Sequence, residues 1–229
     1  VLMAQRRAGD AARDAPRGHA LRQRLGRTAT DADRGGRRDY SDQEFLSVLS
    51  LLQGSETPKQ QAAVAGSIGA HLRESLLAAA EGLGIPRGLA AFSQRQDDAI
   101  AVIGALFDGL REGALLAEDA QARLARLAWP WLRLALEDAR LFDDAGHPAM
   151  QLLSGLLQCW DANPAADGDE SELHALADRV ADSVANGYHG EAAVFGRALA
   201  ELRSGLEPLQ RRAAISERRA WQAIHGKER

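Results

Sequence analysis

The chain has 229 residues, 45% of them hydrophobic, and a formal net charge of −4, enough for one sizeable helical domain or two small ones. Ala, Leu, Arg and Glu dominate while β-branched and aromatic residues are sparse, which argues for an all-α protein. No apolar run approaches the ~20 residues that span a bilayer, and a lone cysteine, Cys159, excludes an intrachain disulfide and argues against cysteine-held zinc.

Residues 1–38 hold ten Arg against four Asp and show no sustained apolar period, so they are expected to form a disordered basic tail. A basic arm for nucleic acid or acidic lipid is the functional alternative, diluted by Asp10, Asp14, Asp31 and Asp33. The opening Val1–Arg7 places no apolar run after its charges, so no secretory leader is expected and the cytoplasm is the expected compartment. Val1 is an unusual first residue; lost upstream sequence or a start assigned too early would each explain it. Lys59 and Lys227 are the only lysines, and the Arg- and Ala-rich composition reads as genomic base composition rather than a nucleic-acid signal.

Ser41 with Glu44 has capping-box spacing, and Phe45, Val48, Leu49 and Leu52 then give a short helix ending near Gly54. After Pro58 a long segment from Lys59 to Gly82 repeats Val64, Ile68, Leu72 and Leu76 at four-residue steps, with Leu83 at its end. Gly66 and Gly69 either permit close helix approach or only weaken this helix. Residues 39–84 thus read as a helical segment of a neighbouring subregion, joined through Gly82-Leu83-Gly84-Ile85-Pro86 to a helical domain over 85–229.

Ile100, Ile103, Leu106, Phe107 and Leu110 predict an amphipathic helix from Gln94 to Arg111, stopped by Gly113. A shorter helix follows over Ala117–Leu127. Pro130 suits the first turn of the next helix, in which Trp131, Leu134 and Ala135 make a stripe widened by Leu132 and Leu136. Asp143-Asp144-Ala145-Gly146 predicts a turn, and His147-Pro148 the start of a helix carrying Met150, Leu153, Leu157 and Trp160. Three readings of this stretch compete. One is a core helical hairpin, favoured by the apolar spacing. Another makes Trp129 or Trp131 an exposed interface anchor. The third makes Asp143, Asp144 and His147 a metal or acid–base site.

Residues 161–169 form an acidic connection without the ligand order of a calcium loop. Leu173, Leu176, Val180 and Val184 mark a helix, Asn186–Gly190 a turn, and Phe195, Leu199, Leu202 and Leu206 another helix. Pro208 is expected to separate it from a last, basic helix through Ile215 and Trp221 to about His225. There Arg211, Arg212, Arg218 and Arg219 are candidates for phosphate or acidic-partner binding, against a solvated face with Trp221 packed beneath it.

Leu127–Leu136, then Leu141-Phe142-Asp143-Asp144-Ala145-Gly146-His147-Pro148-Ala149-Met150-Gln151-Leu152-Leu153, resembles a proteobacterial domain family of unknown function whose members are often labelled thymidine phosphorylase. Ile100-Leu106-Phe107-Asp108 and Glu217-Arg218-Arg219 extend the resemblance, which covers about residues 93–229. Members are usually much longer, so the resemblance implies a partial member and a helical architecture, with no catalytic residues to carry over.

The phosphorylase label finds no support in the residues. There is no Gly-rich phosphate loop, P-loop, His-Glu-x-x-His or Gly-x-Ser-x-Gly, and His71, His174 and His189 are too scattered for a metal motif. The expectation is a multi-helix bundle of antiparallel amphipathic helices, without catalysis, cofactor or metal, that regulates or scaffolds by binding another protein. The alternatives are a nucleic-acid or anionic-ligand binder using the basic last helix, and an enzyme of unrecognised type.

Overall fold

In the computed structural model, the described residues are 38–55, 66–87, 90–113, 116–144, 146–161 and 168–225; side chains are not described for 54–55, 168–170, 209–210 and 213–225. The expected basic tail and the acidic connection after Asp161 therefore lie almost wholly outside the described residues. Seven helices are described: α1 (Asp42–Ser55), α2 (Ile68–Gly82), α3 (Gln94–Gly113), α4 (Glu118–Glu137), α5 (Pro148–Trp160), α6 (Gly168–Gly187) and α7 (Ala193–His225). A 3-10 turn, Ala139–Phe142, links α4 to α5. The all-helical expectation holds, with one small addition: β1 (Arg38–Asp39) pairs in parallel with β2 (Ala90–Ala91).

Local signals explain where the helices start. Ser41 Oγ accepts from the Glu44 amide at 3.2 Å while Glu44 Oε2 accepts from the Ser41 amide at 2.9 Å, a reciprocal capping box. Ser93 and Gln96 repeat the device at α3, and the fully buried Gln96 also donates from Nε2 to Tyr40 O at 3.2 Å, pinning the chain before α1. The start of α2 is capped across space. Asp108 of α3 accepts from the Ile68 amide at 2.8 Å and from Ser67 Oγ at 2.6 Å. At its other end the Ile85 amide donates to Ala80 O and the Gly84 amide to Glu81 O, with Gly84 at φ +83°. That is a Schellman ending, which requires the left-handed conformation glycine adopts cheaply. It turns Leu83, expected to close the apolar stripe, outward to 49% exposure.

α4 lies at the centre, packed against α1, α2, α3 and α6. Both α2–α3 and α6–α7 run antiparallel, as the Ile68–Asp108 contact with the Arg73–Asp97 pair, and the Arg179–Glu201 and Arg212–Glu172 pairs, show, while Arg123 and Arg126 reach Asp178, Asp182 and Asn186 of an α6 running the same way as α4. α2 and α3 cross where Gly69 faces Gly104; a Cβ on Gly104 would come within 2.5 Å of Gly69 Cα. Of the two roles open to Gly69, close approach is the one realised.

Two prolines depart from expectation. Pro130 does not open a helix but sits inside α4, so the predicted shorter helix and its successor are one element. Pro208 likewise lies within α7, which runs on for 33 residues. An interior proline costs about 3 kcal/mol, but Leu124, Leu127, Ala128 and then Trp131, Leu132 and Leu134 are buried on both sides of Pro130. Each large buried side chain contributes roughly 1.5–3 kcal/mol, so packing outweighs the break.

One hydrophobic cluster runs from Tyr40 through Ile68, Leu72 and Leu76 to Phe195 and Leu202, so residues 42–82 and the helices from α3 onward share a core. At its middle Trp131 is fully buried. Phe107 and Phe195 meet it edge-on, with ring centroids 6.1 and 4.8 Å away.

Candidate functional site

The most concentrated polar chemistry lies at the C-terminal end of α4. Arg133 donates from Nε to Glu137 Oε1 and from Nη1 to Ser50 Oγ, both at 3.0 Å. Tyr188, in the turn after α6, donates its hydroxyl to the other Glu137 oxygen at 2.9 Å. Burial pushes the Tyr188 phenol well above its ordinary pKa, and the Glu137 carboxylate adds to the shift. Gly190, at φ +118°, carries the chain close over this trio: a Cβ there would lie 3.2 Å from Arg133 Nη2.

The next residue, Asp138, caps the 3-10 turn by accepting from the Arg140 amide at 2.9 Å. The Arg140 side chain beside it holds the carboxyl at a pKa of about 2. His147 is buried, accepts from the Ala149 amide through Nδ1 at 3.2 Å, and faces Asp138 Oδ2 with Nε2 at 3.5 Å. Of the three readings of this stretch, the one that grouped His147 with Asp143 and Asp144 is not the contact made: the acidic neighbour of His147 is Asp138. Asp144 instead accepts from the Gly146 amide at 2.8 Å to close the turn. The 3-10 turn folds the chain back and substitutes one aspartate for another. These groups act as caps and ion pairs, and among the described residues no set of three or more His, Cys, Asp or Glu could hold a metal.

Trp129 and Trp131, weighed as interface anchors, are 2% and 0% exposed. Both belong to the core, where α4 is covered by its neighbours. Arg211 and Arg212 lie on the surface of α7, where Arg211 meets Glu207 at 2.9 Å and Arg212 meets Glu172 of α6. Arg218 and Arg219 fall further along α7, seven residues on from each, with side chains outside the described set. Cys159 is buried, which raises its thiol pKa and makes it a poor nucleophile.

Surface grooves open between the elements of the described residues. One of about 520 Å³ runs beside α1 under Leu83 and Ile85. A second, of about 450 Å³, separates α3 from the end of α4, with Val102, Ala135 and Phe142 in its walls. A third, of about 380 Å³, lies between α5 and α7 over Met150, Leu199 and Leu206. No residue motif announces such grooves, because each is a gap between elements whose own apolar stripes face the core.

Residues 39–191 match a domain family described as "Protein of unknown function (DUF1631) 2nd domain". The match takes in α1 and α2 as well as α3 to α6, and stops before α7, where the sequence resemblance had been placed over 93–229. No curated protein and no solved structure matches the chain.

Proposed function

The chain belongs to the DUF1631 second-domain family, whose description carries no activity, and from that premise we propose a non-catalytic helical domain that regulates or scaffolds by binding another protein. The observation that carries this reading is how the reactive side chains are used. Glu137, Asp138, His147 and Tyr188 are each engaged in a cap or an internal hydrogen bond, while the surface offers open, partly apolar grooves between helices. No helix among the described residues is long and apolar enough to cross a membrane; the compartment we propose is the cytoplasm. A quantitative pull-down from the native host with the full chain as bait tests the reading; failure to recover any reproducible protein partner rejects it.

An anionic-ligand role for Arg211, Arg212, Arg218 and Arg219 is the second reading, supported by the 75% exposure of the Arg211 side chain. Steeply salt-dependent binding of DNA or RNA, lost when those four arginines are replaced, would establish it. Phosphorolysis of thymidine by the pure protein would restore the enzymatic alternative.

A further inference from the structure

The groove between α5 and α7 has an apolar floor and an almost uncharged rim. Leu199 and Leu202 are buried beneath it, and Met150 and Leu206 are half-buried beside them. Gly155 lets α7 settle closely on α5, since a Cβ there would meet Leu202 Cδ2 at 2.8 Å. On the α5 side the rim is Gln151, Ser154 and Gln158, at helical spacing over about two turns, or roughly 12 Å. Among the described residues no carboxylate lines the groove, and Arg203 is its one charged residue.

Of the arginines along α7 and the facing side of α6, Arg203 is the one that lies in the wall of this groove. Arg179, Arg211 and Arg212 each meet a carboxylate, Glu201, Glu207 and Glu172 respectively. Among the described residues Arg203 meets none; its Nη2 donates to the neutral Gln151 Oε1 at 2.7 Å. A cation beside an apolar trough favours a partner that brings apolar anchors and the missing negative charge together.

Resting on the protein-binding reading above, we propose that this groove receives an amphipathic helix of a partner protein, its apolar face on Met150 and Leu206 and a carboxylate against Arg203. Two turns of groove accommodate anchors at i, i+3 or i+4 and i+7, the pattern by which helices dock in grooves. Methionine in the floor adapts to anchors of different shape.

The test uses two labelled helical peptides with the same leucine face, one flanked by glutamate and one by lysine, titrated by fluorescence anisotropy into the full chain. The glutamate peptide binds at least about tenfold tighter, Arg203→Glu reverses the preference, and Ser154→Trp weakens both by blocking the rim. Circular dichroism of the variants checks that these exposed substitutions leave the fold intact. Equal binding of the two peptides, a preference that survives Arg203→Glu, or no binding of either overturns the proposal. The pull-down separates the two levels. A native partner held equally by wild-type and Ser154→Trp bait, with no peptide binding, removes this groove but keeps protein binding; no partner on wild-type bait removes the protein-binding reading itself.

Discussion

Glu44 and Asp138 tie local caps to the acid stability of the domain. The Arg38 guanidinium and the Ser41 cap hold Glu44 at a pKa of about 2, and Arg140 does the same for Asp138. Unfolded, these carboxyls titrate at about 4.3 and 3.9. A depressed folded pKa contributes stability that is complete above the unfolded value and is lost as pH falls through the folded one. Urea unfolding from pH 5 down to pH 2 is therefore expected to show falling stability, and Glu44→Gln with Asp138→Asn should flatten that slope. An unchanged slope would mean that other carboxylates govern it. Asp108 acts at longer range, since it caps a helix it does not belong to. Asp108→Ala leaves the Ile68 amide and the Ser67 hydroxyl without this acceptor and is expected to cost about 1–2 kcal/mol in urea unfolding at neutral pH.

At the scale of the helix, glycine and proline positions acquire meaning only from what faces them. Gly104 and Gly109 both lie in α3, and either would gain about 1 kcal/mol of helix propensity from Ala. Gly104 abuts the Gly69 backbone, whereas nothing lies within 4 Å of a Cβ on Gly109. Gly104→Ala should lower stability on balance, with overpacking of about 1–3 kcal/mol, and Gly109→Ala should raise it. Thermal melts of the two variants should move in opposite directions. Pro208 is exposed within α7, so Pro208→Ala restores an amide donor without emptying core. Its melting temperature is expected to rise, by a stabilisation of up to about 3 kcal/mol. A fall would show that Pro208 itself is needed for the packing of α7 on α5 and α6.

For the molecule as a whole, the continuous core from Tyr40 to Leu202 predicts one cooperative transition. Far-UV circular dichroism and the fluorescence of Trp129, Trp131 and Trp160 should report the same midpoint in denaturant. Two separated transitions would split the segment before Gly82 from the rest, as the glycine- and proline-rich joint had suggested. The joint is a helix ending followed by a strand pairing, and α2 before it is clamped to α3 through Gly69, Asp108 and Asp97. This arrangement makes independent folding of the two parts unfavourable.

The helical class, the stripes and the Ser41–Glu44 cap were legible in the sequence because they are local: period 3.6 and a Ser-x-x-Glu spacing need no distant partner. The Ser93–Gln96 cap is equally local, with the same Ser-x-x-Gln/Glu spacing. Proline departs from its local preference twice: at Pro130 burial on either side outweighs it, and at Pro208 the helix runs on with the proline exposed. The pairing of His147 with Asp138, the reach of Tyr188 to Glu137 and the groove beside Arg203 were beyond sequence reasoning. Each joins residues that are distant along the chain or on different helices, and only tertiary packing decides which helix faces meet.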